Sequence, residues 1–303
     1  MVAKPQPKPG DVITFSRIML GTVQFGLEYG IANVAGKPSF DRVCDIVKTA
    51  FEGGVTALDT AAAYGTSEEV LGAALERLGL REAMTVVSKV PPIPDGTDAE
   101  AERFIEHSIR GSLQRLRLDR LAVCLLHRED DLRHLPLLER MVERGLIAGA
   151  GVSLDSDRFL TEAANVRYIQ LPYNVLDRRF DAFWSVAIQK KIYVFSRSVY
   201  LQGLLLMPEA HIRPSLSEVI PVRRDLETVA REAGCTMAEL CMRYALSNPA
   251  VASVLTGVDT PEQMRENLRV AALGPLPAAV LDRIQACVPD LPESLVRPAL
   301  WGR

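Results

Sequence analysis

Short apolar runs alternate with amphipathic stretches along nearly the whole chain. Eight runs have the length and content of buried strands, at 18–25, 56–61, 85–90, 121–127, 147–153, 168–174, 192–199 and 252–258. The stretches between them repeat apolar residues at helical spacing, as from Ser39, where positions 43, 46, 47, 50 and 51 are apolar and Gly53 and Gly54 follow. Eight strands, each followed by a helix, in 303 residues predict an α/β fold, the (β/α)8 TIM barrel.

The alternative arrangement of such elements is a doubly wound open sheet. That fold places a glycine-rich GxGxxG turn after its first strand, and the segment GTVQFGLEYG at 21–30 does not supply one. No composition shift and no long Pro/Gly/Ser linker divides the chain. We therefore expect a single barrel domain at 18–303, which includes a C-terminal tail, preceded by a flexible N-terminal tail at 1–17.

Composition and charge exclude several function classes. Of the 303 residues, 48% are hydrophobic and 24% are charged, and the formal net charge is −3. This charge predicts no general attraction to nucleic acid or to an anionic membrane, and no apolar run approaches the roughly 20 residues that span a bilayer. The five cysteines show no CxxC pair, so we expect no metal site and a reduced thiol at Cys124. A cytoplasmic location is the default for such a chain.

Four residues with acid–base side chains stand at or near the ends of consecutive apolar runs. Asp59 ends ALD, Tyr64 follows five residues later, Lys89 ends TVVSK and His127 ends LAVCLLH. In a parallel barrel the C-terminal strand ends face one mouth, so these side chains are expected to meet there as a proton-transfer site. Each also has an ordinary alternative: Asp59 as a helix cap, Tyr64 in loop packing, and Lys89 and His127 at the surface. Their equivalent positions on three consecutive strands favour the shared site.

The stretch DTAAAYGTSEEVLG, followed by SKV and LLH on the next two strands, resembles the aldo-keto reductase superfamily. The resemblance extends from about Ile18 to Asn267. It implies an NAD(P)H-dependent oxidoreductase that reduces the carbonyl of an aldehyde or ketone, a small-molecule substrate, to an alcohol by hydride transfer.

The resemblance also implies a role for each of the four residues. Tyr64 would be the general acid for the carbonyl oxygen, and Lys89 would be the ammonium that favours the phenolate. Asp59 would pair with Lys89 and hold it charged, while His127 would orient the carbonyl oxygen or share the proton. Preorganised charge around a developing oxyanion is usually the largest contribution to catalysis.

Most of the implied cofactor contacts lie in the second half of the chain. The implied cofactor-binding residues are Thr22, Ser153, Gln170, Arg197, Ser198, Gly203, Gly257, Gln263, Glu266 and Asn267. Ser153 and Gln170 correspond to contacts with the nicotinamide amide. Glu266 and Asn267 correspond to contacts with adenine. Ser198 and Gly203 correspond to the pyrophosphate loop. Leu154 replaces an asparagine that the family often has, so one nicotinamide contact is expected to be lost or moved.

Two further features of the implied cofactor site depart from the family pattern. Arg197 stands where an aromatic side chain usually stacks on the nicotinamide; it could stack and favour the reduced, neutral ring, or it could point away to a carboxylate. The positions that usually grip a 2′-phosphate hold Gly257, Val258, Asp259 and Gln263, none of them cationic. The family as a whole implies NADP, but these residues indicate a relaxed choice between NADP and NAD, unless Arg265 or Arg269 replaces the missing cations.

The substrate is specified less closely. Tyr29 and Asn33 in the loop after the first strand are polar candidates, and Leu300 or Trp301 could cover the mouth, with packing of Trp301 on the barrel side as the alternative. The segments GLEYGIAN, RSVYLQGLLLM and PALW are similar to family members of bacterial sugar and polysaccharide metabolism, which suggests a sugar-like carbonyl. Two other functions stay open: a Schiff-base barrel lyase that uses Lys89, and a nicotinamide-binding regulatory subunit with little turnover. Nothing in the sequence indicates an oligomeric state.

Overall fold

The computed structural model describes residues 7–31 and 36–301 of the chain. Eight parallel strands close into a barrel in chain order, with the last strand paired to the first. The strands are β1 (Ile18–Gly21), β2 (Ala57–Asp59), β3 (Thr85–Val90), β4 (Leu121–Leu126), β5 (Ile147–Ser153), β6 (Tyr168–Pro172), β7 (Tyr193–Arg197) and β8 (Val251–Gly257). The predicted (β/α)8 TIM barrel is therefore confirmed.

Helices surround the barrel and connect successive strands. In the described ranges they are α1 (Val23–Gly26), α2 (Phe40–Glu52), α3 (Ser67–Leu78), α4 (Asp98–Leu116), α5 (Leu135–Glu143), α6 (Leu160–Ala163), α7 (Trp184–Gln189), α8 (Val219–Glu232), α9 (Met237–Ser247), α10 (Pro261–Ala272), α11 (Ala278–Cys287) and α12 (Glu293–Val296). Short 3-10 segments lie at Glu129–His134, Asp181–Phe183, Leu201–Gly203, Glu209–His211, Pro214–Leu216 and Pro298–Leu300. Local sequence sets some helix starts: Thr97 and Glu100 form a capping box at the start of α4. No helix in these ranges is long and apolar enough to cross a membrane.

Four predicted strands end two or more residues before their apolar runs do, because the last residues of these runs leave the sheet to build loops at the barrel mouth. The runs at 18–25, 56–61, 168–174 and 192–199 end as strands at Gly21, Asp59, Pro172 and Arg197. After β1, for example, the chain turns at once into α1, and Thr22 N donates to the last carbonyl of β2. Two predicted cofactor residues, Thr22 and Ser198, consequently lie in loops directly after strands.

Apolar side chains pack in two layers. The larger lies between the barrel and its helices and includes Leu58, Ile105, Leu138, Ile169 and Leu226. The smaller fills the barrel interior and includes Met19, Val87, Val123, Leu125 and Phe195. Space for a ligand therefore lies at the mouth, beyond this packed interior. Cys124, predicted to be a reduced thiol, is free and buried in the outer layer.

The chain directly before β1 is held against the bottom of the barrel. It was included in the predicted flexible tail, whose first six residues lie outside the described ranges. Ile13 is only 3% exposed and belongs to the interior layer. Phe15 makes edge-to-face contacts with the rings of Tyr168, Tyr193 and Phe195, the nearest with ring centroids 4.8 Å apart. From Ile13 onward this segment is a packed part of the barrel floor, because its apolar side chains cover the end opposite the mouth.

Candidate active site

The four candidate acid–base residues meet at the C-terminal mouth of the barrel. Asp59 is the last residue of β2, Lys89 is the residue before the end of β3, and His127 directly follows β4. Tyr64 lies on the turn between β2 and α3. Three adjacent strands thus deliver a carboxylate, an ammonium and an imidazole to one place, with a phenol beside them.

Lys89 is the centre of this group. Its Nζ lies 2.7 and 2.8 Å from the carboxylate oxygens of Asp59, 2.9 Å from the carbonyl oxygen of Thr60 and 3.3 Å from the hydroxyl of Tyr64. Lys89 and Asp59 are each only 1% exposed. Burial alone would lower the pKa of Lys89, but the charge of Asp59 and the interactions with Tyr64 outweigh it, so the pKa is raised. The side chain is therefore an ammonium held against the phenol, not a group that exits to solvent.

The imidazole of His127 meets the ring of Tyr64 edge to face, with ring centroids 5.6 Å apart and an interplanar angle of 80°. Burial, reinforced by the charges of Lys89 and Arg197, lowers the pKa of His127 to about 3. The imidazole is consequently neutral near pH 7. A neutral imidazole can donate one hydrogen bond to an oxygen near Tyr64, but it brings no positive charge.

Close backbone packing fixes the turn that carries Tyr64. Gly26 lies so near that a Cβ there would stand 1.9 Å from the carbonyl oxygen of Tyr64, and Gly65 has a φ of +56°. Ser67 Oγ donates to Thr22 O at 2.7 Å, and Thr22 Oγ1 donates to the last carbonyl of β2 at 2.9 Å. The two glycines and these hydroxyl bonds hold the phenol near the end of β2.

A cleft of about 630 Å³ adjoins these residues and extends over the mouth. Its lining includes nine of the ten predicted cofactor residues, namely Thr22, Gln170, Arg197, Ser198, Gly203, Gly257, Gln263, Glu266 and Asn267. Asp59 and Tyr64 line the same space. Ser153, the tenth residue, is not in the lining; it is 6% exposed at the end of β5 and lies beside Gln170 in the pairing of β5 with β6. The structure thus brings Asp59, Tyr64 and nearly all the candidate cofactor residues to one cleft, while Lys89 and His127 contact Tyr64 without lining it.

Polar atoms without partners mark the cleft as a place for a polar ligand. In the described part of the chain, Gln24 Oε1, Thr256 Oγ1 and Asp259 Oδ1 are buried without a hydrogen-bond partner, and all three residues line the cleft. Buried polar atoms are normally satisfied in proteins. A ligand that carries hydroxyl and amide donors would satisfy them, and the volume of the cleft suits a molecule of the size and polarity of NAD(P).

The loop after β7 has an uncommon backbone. Ser198, Leu201 and Gln202 have φ angles of 62°, 47° and 54°, and Gly203 follows with a φ of 95°. A left-handed φ costs a non-glycine residue about 1–2 kcal/mol, and such strain concentrates at ligand sites. Gln202 Nε2 donates to the hydroxyl of Tyr29 at 3.2 Å, and both residues line the cleft. The loops after β1 and β7 are thereby joined at the wall of the cleft.

The end of the cleft near α10 is acidic. Asp259, Glu262 and Glu266 line it, and no lysine or arginine among the described residues lines that end. Arg265 pairs with Glu262 at 2.8 Å, and Arg269 pairs with Glu266 at 2.7 Å. Burial raises the pKa of Asp259. The two arginines considered as replacements for a 2′-phosphate clamp are therefore paired with glutamates and absent from the lining.

Arg197 is paired with a carboxylate, the second of its two predicted alternatives. Its Nη2 donates to Asp155 Oδ1 at 2.8 Å and to the carbonyl oxygen of Leu154 at 3.0 Å. The same side chain also lines the cleft. Asp155 was not predicted from the sequence, although it stands two residues after the end of β5, the kind of position that supplied Asp59 and His127.

Other outcomes concern the loops and the tail. Gln24 and Tyr200 line the cleft but were not predicted. The path of the loop backbone determines which loop residues face the cleft, and the sequence does not show that path. Asn33, one of the two polar substrate candidates, lies outside the described residues. Leu300 and Trp301 do not line the cleft, and Trp301 packs partly buried against the layer between barrel and helices.

The fold and the residues gathered at the cleft fit one class of protein, the enzymes that build a nicotinamide-dependent site on the strand ends of a TIM barrel without a Rossmann domain. The chain belongs to the aldo/keto reductase family, whose sequence profile matches residues 17–289. It is therefore an NAD(P)-dependent oxidoreductase that acts on small-molecule carbonyl compounds.

Two relatives of the chain are named as an oxidoreductase and a dehydrogenase. The chain is 27% identical over 278 residues to the uncharacterized oxidoreductase YqkF of Bacillus subtilis, a match that covers 83% of this chain and 90% of the relative. It is 28% identical over 289 residues to L-galactose dehydrogenase of Arabidopsis thaliana, with 88% of each chain covered. Among solved structures, the holo form of an aldo-keto reductase from Bacillus halodurans matches with a TM-score of 0.76 and 21% identity, over 95% of this chain and 97% of that one. This structural likeness concerns the fold.

Proposed function

We propose that the protein reduces the carbonyl of a sugar-like aldehyde or ketone to an alcohol, with NAD(P)H as reductant and Tyr64 as general acid. The observation that carries the proposal is the position of Lys89, whose Nζ contacts both Asp59 and the hydroxyl of Tyr64 beside the cleft. A buried ammonium next to a phenol stabilises the phenolate that forms when the phenol gives its proton to a developing alkoxide.

Each of the four residues has a distinct task. When bound, the reduced nicotinamide supplies a hydride to the carbonyl carbon. The hydroxyl of Tyr64 donates its proton to the carbonyl oxygen as negative charge develops there. Lys89 stabilises the phenolate that remains, and Asp59 keeps the ammonium charged and oriented. His127 is neutral, so we assign it a hydrogen bond that orients the carbonyl oxygen rather than delivery of the proton.

The candidate cofactor residues divide along the cleft. We assign the reacting end of the cofactor to Thr22, Ser153, Gln170 and Arg197, the pyrophosphate to Ser198 and Gly203, and the adenosine end to Gly257, Gln263, Glu266 and Asn267. The strained loop after β7 and the partnerless oxygens of Gln24 and Thr256 support a polar ligand in this space. In this assignment the reacting end lies next to Tyr64, and the hydrogen bond from Gln170 to Asp59 supports it.

We further propose a relaxed choice between NADP and NAD. A 2′-phosphate needs cationic partners, and the described residues at the adenosine end of the cleft offer three carboxylates and no cation. A free 2′-hydroxyl, by contrast, is a suitable partner for a carboxylate. The acidic end therefore removes the usual basis of a strong preference for NADPH.

The state of Lys89 argues against the Schiff-base alternative. A lysine that attacks a carbonyl must first lose its proton. The charge of Asp59 raises the pKa of Lys89 despite burial, and the ammonium already contacts both oxygens of Asp59, Thr60 O and the hydroxyl of Tyr64. The regulatory-subunit alternative is also disfavoured, because all four reacting side chains stand together at the mouth.

The sugar-like substrate class is supported by polarity and by likeness. Tyr29, Arg197 and Gln202 line the cleft and offer donors and acceptors that suit the hydroxyl groups of a polyol. One relative, 28% identical, is named for action on L-galactose. A sugar-like carbonyl compound would accept the proton of Tyr64 at its carbonyl oxygen and form hydrogen bonds with these polar residues through its hydroxyl groups.

The test compares the wild type with Tyr64→Phe over a panel of aldehydes, ketones and sugars, with NADPH and NADH oxidation as the readout. Loss of the phenolic proton should reduce turnover by about 10²–10⁴-fold. The dissociation constants of both reduced cofactors should stay within about twofold, because the proton is needed in the transition state and not for binding. A variant that retains more than about a tenth of wild-type turnover, with chemistry limiting the rate, would remove Tyr64 from this role. Tight cofactor binding without oxidation of either cofactor by the wild type would favour the regulatory alternative.

A further inference from the structure

Asp155 joins the cleft to the C-terminal segment of the chain. Its Oδ1 accepts from Arg197 Nη2 at 2.8 Å, and its Oδ2 accepts from Arg297 Nε at 2.5 Å. Arg197 is the last residue of β7 and lines the cleft, whereas Arg297 follows α12, 142 residues beyond Asp155 in sequence. One carboxylate thus holds two arginines from distant parts of the chain.

The backbone of Asp155 is fixed, so its carboxylate occupies a defined place. Asp155 N donates to Glu129 Oε2 at 2.7 Å, and Asp155 O accepts from Arg179 Nη1 at 2.8 Å. Glu129 is 4% exposed and also accepts from the backbone and the hydroxyl of Ser156. Arg179 in turn donates to both carboxylate oxygens of Asp177, at 2.9 and 2.6 Å. These bonds hold the loop after β5 on both sides of the carboxylate.

The charge of Arg197 reaches the reacting residues. Together with burial and the charge of Lys89, it lowers the pKa of His127. Burial opposes ionisation of Asp155, yet the charges and hydrogen bonds of Arg197 and Arg297 hold its pKa below the usual range. Arg197, which lines the cleft, is thus the cation nearest to the place where the reacting ring of a cofactor would lie, with Asp155 as its anionic partner. Arg297, the other cation on Asp155, has Glu293 as a further partner at 3.2 Å.

We propose that Asp155 is a positioning residue that holds Arg197 at the reacting end of the cleft, partly neutralises it, and so sets the relative affinity for oxidised and reduced nicotinamide. Arg297 belongs to the same device, through which the C-terminal segment contributes to cofactor binding without lining the cleft. The inference rests on the proposed function, because it requires nicotinamide to bind in this cleft.

The physical basis is the difference in charge between the two cofactor forms. The oxidised ring carries one positive charge more than the reduced ring. A fixed cation nearby therefore weakens binding of the oxidised form selectively, and a carboxylate strengthens it. Asp155 offsets Arg197, so the oxidised product binds more tightly than it would beside an arginine without a partner. Asp155 binds one arginine with each of its two oxygens. When Arg297 is lost, the negative charge of Asp155 is less neutralised and attracts the oxidised ring more strongly.

The experiment measures the dissociation constants of the oxidised and the reduced cofactor by calorimetry. The quantity compared among variants is the dissociation constant of the oxidised form divided by that of the reduced form, called the ratio below. Asp155→Asn removes the charge but keeps the shape, and should raise the ratio by about threefold to tenfold. Arg197→Met should lower the ratio by a similar factor, and Arg297→Met should lower it less. Asp155→Glu keeps the charge and should restore the ratio to within about twofold of wild type.

Glu106→Gln is the matched control. Glu106 on α4 is likewise a carboxylate shared by two arginines, Arg110 at 2.7 Å and Arg144 at 2.5 Å, but it lies outside the cleft lining, so the ratio should stay at the wild-type value. A ratio within about twofold of wild type in both Asp155→Asn and Arg197→Met would overturn the inference and leave the proposed function intact. If Asp155→Asn does not fold, the two arginine variants decide the question by the same criterion. Failure of the wild type to bind either cofactor form would overturn both proposals.

Discussion

The side-chain amide of Gln170 donates to Asp59 Oδ1 at 2.7 Å, the same oxygen that accepts from Lys89 Nζ. An ionised carboxylate only accepts hydrogen bonds, so the atom of Gln170 that faces it is Nε2, and Oε1 is left to accept from a ligand. The residue that we assign to the cofactor and the pair that we assign to proton transfer are thus one hydrogen-bonded unit. A change at Gln170 is expected to disturb both.

Gln170→Glu tests this unit through pH. The substitution sets a second carboxylate against Asp59 in a buried place, where two such groups cannot both ionise without a large cost. We expect a loss of stability that is greater near pH 8 than near pH 5, because a proton bound by the carboxylate pair at low pH relieves the repulsion. Urea denaturation at the two pH values measures it. Gln170→Met, which removes the amide without adding charge, should show no such difference, and equal pH dependence in the two variants would contradict the contact.

Lys89→Met should cost both activity and stability. The Lys89–Asp59 pair has side chains that are 0% and 1% exposed, and loss of one partner from a fully buried pair costs roughly 3–5 kcal/mol. Turnover should fall by about 10²-fold or more, since the ammonium beside Tyr64 is gone. The double variant Asp59→Leu/Lys89→Met removes both charges and should regain much of the stability but none of the activity. A double variant as unstable as the single one would show that the unpaired charge is not the cause.

His127 gives a pH prediction with a definite sign. Burial, with the charges of Lys89 and Arg197, lowers the pKa of His127 from 6.5 to about 3. As the pH falls through about 6.5, the unfolded chain takes up a proton at this imidazole that the folded chain refuses until about pH 3. The stability contribution of the neutral imidazole is therefore complete above pH 6.5 and is lost as the pH falls toward 3, by at most about 1.4 kcal/mol per pH unit.

The measurement for His127 is the free energy of unfolding of wild type and His127→Gln at about pH 7, 6 and 5. Because glutamine does not titrate, the variant should lose less stability over this interval. An imidazole signal of His127 that moves to the protonated form near pH 6 in an NMR titration would show that the ring is not kept neutral.

Cofactor choice can be changed at Asp259. We expect the wild type to bind NADPH and NADH within roughly tenfold of each other, or about 1.4 kcal/mol. Asp259→Arg should shift the preference toward NADPH, since one charge-assisted hydrogen bond contributes about 1.5–3 kcal/mol, and should make NADPH binding more sensitive to salt. Glu139→Arg on α5 makes the same change of charge outside the cleft lining and should leave the preference unchanged. A wild-type preference for NADPH above roughly a hundredfold would contradict the relaxed choice.

Periodicity was sufficient to predict the barrel and the group at its mouth. A parallel strand that is buried on both faces leaves a plain apolar run, and the residue at its C-terminal end is necessarily near the mouth. Asp59, Lys89 and His127 follow from that geometry alone. The attachment of Ile13 and Phe15 was not predictable in the same way, because Val12, Ile13 and Phe15 after a polar, proline-rich stretch are too few to define a period.

Contacts between distant loops leave no local trace in a sequence. The bond between Asp155 and Arg297 joins residues 142 positions apart, and no pattern at either end indicates the other. The same holds for Gln202 and Tyr29, which are 173 positions apart. Such pairs depend on backbone paths outside helices and strands, where neither helical nor strand periodicity applies.

The floor of the barrel makes the segment before β1 and the segment from α9 to β8 depend on each other. Arg17 donates to the carbonyl oxygens of Val251 and Leu246, which are 234 and 229 positions away. During synthesis the segment before β1 can therefore form these bonds only after α9 and β8 have been made. Until then the barrel floor on which Ile13 and Phe15 pack is incomplete. Contacts between residues so far apart in sequence also form slowly. The segment before β1 is accordingly fixed in place only after β8 is made, as is the pairing of β8 with β1 that closes the barrel.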